Sequence, residues 1–184
     1  KKTIKTINRL NEEYNREYTQ VINQVFDDLK THHIRLLDDT QLNEEQKTFL
    51  TEFYYDKLNG STNPIWLSQI DDISVLEDNR IYLMVKRTKE GYHKPKYAII
   101  KVPDRIYGRF IKIPSSDGYD NFMYLDDVIR YCLPLVFIGI KGCTYEAYSF
   151  KFTKDAEMEV DNESDYGVME RIAIGVSSRK RGEA

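Results

Sequence analysis

Apolar residues at Ile4, Ile7, Tyr14, Val21, Val25 and Leu29 recur by threes, fours and sevens, the spacing that lines one face of an α-helix. The pattern predicts a single helix of about thirty residues that ends near His32 and His33. That exceeds the usual globular length and suggests a rod bridging two bodies. A second, shorter helix is announced by LNEEQKTFLTEFYYDKL, where Asn43 can cap with Gln46 three residues on. Phe49, Leu50, Phe53 and Tyr54 form its buried stripe, and Gly60 and Pro64 in NGSTNP break it.

The middle of the chain alternates instead. RIYLMVKR (80–87) and KYAIIKV (96–102) predict two strands flanking a hairpin-length loop with Gly91 and Pro95, and RFIKI (109–113) predicts a third, stopped by Pro114. Beyond SSDGYDN, the run FMYLDDVIRYCLPLVF places Leu125, Val128, Ile129 and Cys132 at helical spacing, interrupted by Pro134. AYSFKFTKDAEMEV alternates again, with Tyr148, Phe150 and Phe152 on one face and Ser149 and Lys151 on the other; Ala156, Met158 and Val160 resume it beyond Lys154. A last helix follows DNES, carrying Val168, Ile172, Ala173 and Val176, with Gly182 at its stop. Because this pattern runs almost to the final residue and Lys1 already lies inside a helical pattern, the chain reads as an excised segment of a longer protein. Helices and strands interspersed without a strict βαβ rhythm predict an α+β fold with a mixed sheet and packed helices.

Composition adds boundaries to this picture. At 184 residues, 41% hydrophobic and 31% charged, the chain is globular and the size of one domain, or one domain plus an extra element. No apolar run approaches the roughly 18–20 residues of a bilayer span, so no membrane span is expected and the cytoplasm is the default location. The net charge of −3 hides a segregation of signs. From Arg80 to Lys112 there are ten Lys/Arg against two acids, and from Asp155 to Glu170 seven acids and no base.

Candidate chemistry is sparse. His32 and His33 sit at a helix end, where a cation suits the dipole and the free carbonyls, so capping is favoured over catalysis. His93 stands in HKPK, but Pro95 occupies the position two beyond it, where a phosphohistidine site would need a side-chain donor. Cys132 and Cys143 form no C-x-x-C pair and are expected as core residues. No GxxxxGK[ST], GxGxxG or GxSxG stretch occurs. The acids of DAEMEVDNESD fit a solvated strand face with an N-cap better than a metal site, and Asp126 and Asp127 fit a helix first turn. The basic strands remain. Their cations, with Tyr82, Tyr92, Tyr97 and Tyr107 among them, can neutralise a polyanion; equally, lysines on edge strands block edge-to-edge aggregation.

Several segments together resemble the long-form polyphosphate kinases, specifically their middle or head domain. They are QLNEEQKTFLTEFY, IYLMVKR, KYAIIKVPDRIYGRFIKIP, YLDDVIRYCLPLVF, EAYSFKFTKDAEMEVDNE and RKRGEA, in the family's order from about Gln41 onward. The long first helix is similar to the family's connection out of its N-terminal helical domain. The resemblance implies two parts: residues 1–35, a helix linking to that N-terminal domain, and residues 36–184, the head domain. It implies an α+β fold similar to phosphohistidine-phosphatase-like domains and a role in holding a dimer together. The implied parent reaction is reversible transfer of the γ-phosphoryl group of ATP, with magnesium, onto polyphosphate through a phosphohistidine. In the family, the catalytic histidine, its arginines and the metal ligands lie in two C-terminal domains resembling phospholipase D, and the adenine contact lies in the N-terminal domain. The resemblance therefore carries no catalytic, cofactor-binding or metal residue onto this chain, and no cofactor is expected within it.

What remains is Lys86, Arg87, Lys101 and Lys112, as candidates to border the route of the polyanion. Implied partners are the other domains of the same enzyme, a second copy in a dimer, and polyphosphate, with no nucleic acid expected. The alternative is a stand-alone nucleic-acid-binding α+β domain that stacks bases on the tyrosines; the negative net charge and the lack of an RNP-like signature speak against it. Ala184 replaces the family's usual proline, and NGSTNPIWLSQ departs from its P-x-L-x-P turn, which leaves the path from 59 to 69 open.

Overall fold

The computed structural model describes residues 2–70, 75–91, 94–138 and 142–153. The first helix, α1 (Lys2–Thr31), is 30 residues long, as the apolar spacing predicts. It stops where His33 turns into the left-handed region at φ 60°, uncommon for any residue but glycine. The N–H groups of His32 and His33 close the last turn on the carbonyls of Leu29 and Lys30, at 3.0 and 3.1 Å. The carbonyl of His33 then accepts from the Asp120 N–H at 2.7 Å, which starts the pairing of a strand that the periodicity does not reveal, β1 (Ile34–Leu37). The α1 stripe of Ile4, Ile7, Tyr14, Tyr18, Val21 and Val25 stays exposed.

The next helix, α2 (Glu44–Phe53), opens on the predicted capping box: Asn43 accepts from the Gln46 N–H, and the Gln46 side chain accepts from the Asn43 N–H. Gln46 also donates to the Pro114 carbonyl at 3.0 Å, tying the helix start to a distant loop. A wider π turn, Tyr54–Leu58, extends α2, and both of its terminal residues are buried. Gly60, at φ 87°, ends it.

Among the described residues, seven strands form two sheets. The four-stranded sheet has the order β2-β4-β3-β7, from β2 (Ile65–Trp66), β3 (Arg80–Lys89), β4 (Lys96–Lys101) and β7 (Cys143–Phe152). All its pairings are antiparallel, and the predicted β3–β4 hairpin is present. The three-stranded sheet has the order β1-β6-β5, from β5 (Phe110–Ile113) and β6 (Asp120–Tyr124), with one parallel and one antiparallel pairing. Short helices α3 (Asp104–Tyr107), α4 (Leu125–Tyr131) and α5 (Leu133–Val136) and a 3-10 turn, Leu67–Gln69, complete the described elements. The α+β expectation with packed helices holds, with the mixed sheet accompanied by an antiparallel one.

The predicted third strand is β5, and it pairs with β6 in the other sheet. Phe122–Tyr124 is strand, because Asn121 and Met123 alternate with half-buried neighbours before the helix begins at Leu125. The helix predicted through Cys132 breaks there into α4 and α5, with Pro134 in the first turn of the second, where a missing N–H is harmless. The stretch beyond Thr153, with its predicted strand continuation and last helix, lies outside the described residues.

The main core sits on the inner face of the four-stranded sheet. Leu83, Val85, Ala98 and Ile100 pack there with Leu50, Leu58, Met123, Leu125, Val128 and Ile129. On the outer face a smaller cluster forms around Tyr82, Ile99 and Phe152 with Leu76. Both faces are therefore partly covered, and the aromatic face of β7, with Phe150 and Phe152, is the outer one.

Candidate functional site

Lys86 and Arg87 are neighbours on β3 and so project to opposite faces. Lys86 lies on the outer face opposite Tyr97; Lys101 shares that face but pairs with Tyr82, four positions further along the ladder. Lys112 belongs to β5 in the other sheet. The four cations singled out from the sequence are thus not brought into one cluster.

Three of them meet acids. Lys86 Nζ lies 2.8 Å from Glu146, and Lys112 Nζ lies 2.7 Å from Asp120. Lys101 pairs with Glu77, which also receives Arg80 Nε at 3.1 Å. Its hydrogen bond to Glu146 raises the Lys86 pKa, and the same bond lowers that of Glu146. Lys101 first, then Arg80, hold Glu77 below the ordinary carboxylate range. These pairs sit in solvent, where ion pairs contribute little to stability and offer charge already neutralised.

Arg87 differs. It is 8% exposed, and its guanidinium lies over the Trp66 ring, 4.9 Å from the centroid. Its Nε is buried without a hydrogen-bond partner, and among the described residues no carboxylate pairs with it. On the same inner face Lys96 stands directly opposite on β4 and Tyr145 directly opposite on β7. Phe137 stacks on Tyr145 at 5.3 Å and lies 5.5 Å from Trp66, so the ring beneath the guanidinium belongs to an aromatic cluster. Burial pushes the Tyr145 hydroxyl pKa up, and the Arg87 charge pulls it partly back. A buried lone charge costs several kcal/mol even after relaxation. A desolvated cation on tryptophan regains about 2 kcal/mol, and a like charge directly across a ladder adds to the cost. Among the described residues, the inner end of this sheet is therefore short of negative charge. Trp66 and Lys96 also line a depression of about 520 Å³, together with Leu67, Ser68, Pro95 and Tyr97.

A second polar group fastens α4 to β7. Asp126, buried, pairs with Arg109 at 2.7 Å in an ion pair without hydrogen-bond geometry, and accepts from the Ser149 hydroxyl. Arg130 pairs with Asp127, reaches Asp39 at 3.7 Å, and donates from Nε to the Ala147 carbonyl at 3.2 Å. Burial raises the Asp127 pKa in spite of Arg130. Both acids stand in the first turn of α4 as expected; Asp127 bonds along the helix to Arg130, whereas Asp126 bonds to Arg109 and Ser149 outside it.

The remaining candidates are quiet. Burial pushes the Cys132 thiol up to about 12, which keeps it protonated and unreactive, and its Sγ lies 3.7 Å from the Leu50 carbonyl. His33 rests against Tyr119 with ring centroids 5.2 Å apart. His93 and the acidic run 155–170 lie outside the described residues. Among the described residues no group of three or more His, Cys, Asp or Glu could hold a metal ion, and no helix is long and apolar enough to cross a membrane.

Trp66, Lys96 and Tyr145 were not singled out from the sequence. The usable signal for Lys96 and Tyr145 was register: a hairpin that places Leu83 and Val85 inward places Arg87 and its ladder neighbours inward as well.

The family described as polyphosphate kinase middle domain matches residues 45–184. The polyphosphate kinase of Vibrio parahaemolyticus is 30% identical over 175 residues, 93% of this chain and 24% of that protein. That of Escherichia coli K12 is 26% identical over 171 residues, 91% of this chain and 25% of that protein. Among solved structures, polyphosphate kinase from Porphyromonas gingivalis superposes with a TM-score of 0.63 at 26% identity, covering 77% of this chain and 24% of that one. The chain thus spans about a quarter of the length of these relatives. These matches point away from a stand-alone nucleic-acid-binding domain. The chain belongs to the polyphosphate kinase middle-domain family.

Proposed function

We propose that this chain is the middle part of an enzyme that reversibly transfers the γ-phosphoryl group of ATP, with magnesium, onto polyphosphate in the cytoplasm. In that parent it serves as a scaffold and dimerisation domain, its fold akin to phosphohistidine-phosphatase-like domains, while the reacting groups belong to other domains. The observation that carries this is the family match over residues 45–184 in relatives named polyphosphate kinase, of which the chain spans a quarter. Phosphoryl transfer needs a positioned nucleophile, a metal and cationic clamps. The described residues offer the cations, on β3, β4 and β5. Lys86, Arg87, Lys101 and Lys112 border the polyanion's route in this proposal. The exposed apolar stripe of α1 supports the division at residues 1–35, since such a stripe is stable when another helical body covers it.

The test compares the purified 184-residue chain with the longer parent enzyme in ATP, magnesium and a polyphosphate primer. The parent extends polyphosphate and the chain alone does not. ATP consumption by the chain, or a parent that forms no polyphosphate, overturns the proposal.

A further inference from the structure

Lys86, Lys101 and Lys112 are each matched by an acid, Glu146, Glu77 and Asp120. Arg87 and Lys96 face one another across the β3–β4 ladder on the inner face, and among the described residues no carboxylate pairs with either. We propose that Arg87 and Lys96 form a binding site for phosphoryl oxygens, floored by Trp66 and reached through the depression that Trp66 and Lys96 line.

The chemistry of the two side chains selects the ligand. A guanidinium presents a planar fork of donors that matches two oxygens of a phosphoryl group, and its Nε is still without a partner here. Lys96, exposed at the rim, supplies a mobile point charge for a further oxygen. Trp66 holds the guanidinium plane from one side, which fixes its direction before any anion arrives. A carboxylate, with two oxygens, satisfies the Arg87 fork and leaves Lys96 unmatched; a phosphoryl group serves both. The choice of phosphoryl oxygens rests on the function proposed above, whereas the lack of an acid paired with Arg87 among the described residues stands without it. The site also divides the four cations suggested by the sequence, assigning direct contact to Arg87 and leaving the three acid-paired lysines outside it.

The experiment follows the Arg87 Nε–H resonance of the ¹⁵N-labelled 184-residue chain, assigned through its loss in Arg87→Lys. Sodium tripolyphosphate, orthophosphate and acetate are titrated in at constant ionic strength. Both phosphates shift the resonance, and acetate, which engages Arg87 without Lys96, needs about tenfold higher concentration for the same shift. Lys96→Ala, at an exposed position where the fold is kept, weakens tripolyphosphate binding about tenfold, while Lys30→Ala and Lys47→Ala, at lysines on α1 and α2 outside the site, change it less than about twofold. Tighter tripolyphosphate than orthophosphate assigns a chain of phosphates to the site, and equal affinities assign a single phosphoryl group. The proposal is overturned if the resonance stays in place, if acetate moves it equally, or if Lys47→Ala weakens binding as much as Lys96→Ala. A parent enzyme that makes no polyphosphate would remove the function proposed above and leave this titration as it stands.

Discussion

The two faces of the four-stranded sheet treat positive charge in opposite ways. On the outer face, Lys86 and Lys101 stand in water and are met by Glu146 and Glu77. On the inner face, Arg87 is almost wholly enclosed by Trp66 and the strands beside it, with Lys96 opposite and no acid paired to it among the described residues. Neighbouring residues on one strand thus differ by a single step of the pleat, and that step decides whether a cation is a solubilising surface group or a strained, directed one. Cation density along the sequence does not separate the two. Ten cations between Arg80 and Lys112 look alike until the pleat sorts them.

The largest effect belongs to the apolar part of the inner face. Leu83→Ala, at a position with no solvent exposure, lowers stability by about 2–5 kcal/mol in urea unfolding, because the transfer and cavity contributions add. Asp126→Ala comes next. It strips Arg109 of its ion pair and Ser149 of its acceptor and costs about 1.5–3 kcal/mol, which circular dichroism melts of the variant would show.

Acid titration gives a smaller and more telling effect. Glu77 and Glu146 on the outer side have folded pKa values below their ordinary 4.5, so they contribute stability above that pH and lose it as the pH falls through the folded values. Asp127, beneath α4, is held above its ordinary 3.8, so its charge works against folding at neutral pH and that cost is relieved on acidification. Asp127→Asn removes the relief, and its stability falls more steeply with acid than that of the unaltered chain. A parallel pair of curves would show that burial does not govern this carboxylate. The smallest effect is at the outer pair: Lys86→Ala leaves the urea midpoint where it was, as exposed ion pairs usually do.

Much of the architecture was legible in the residues. Helical spacing from Ile4 to Leu29 marked α1, Asn43 with Gln46 marked the start of α2, and two alternating runs around Gly91 marked the hairpin. Local pattern failed where partners were distant. Ile34–Leu37 is a four-residue strand whose only sign is a parallel neighbour more than eighty residues away, at Asp120–Met123. Asp126 satisfied the rule for a helix first turn, which concealed its bonds to Arg109 and Ser149. At the candidate site, alternation would have placed Arg87 with Leu83 and Val85, but two-residue β2, which brings in Trp66, has no periodicity to read. The family likeness survives all of this, because it rests on the order of many segments rather than on any one contact.

The measurement that tests the contrast between the faces most directly is a double-mutant cycle on Arg87→Met and Lys96→Met, with unfolding in urea followed in phosphate-free buffer and again in phosphate. Two unmatched cations on one face give a repulsive coupling without phosphate, and the repulsion disappears when phosphate is present. A coupling that is attractive or zero in both buffers would mean that the inner face is already neutralised, and the contrast drawn between the two faces would not hold.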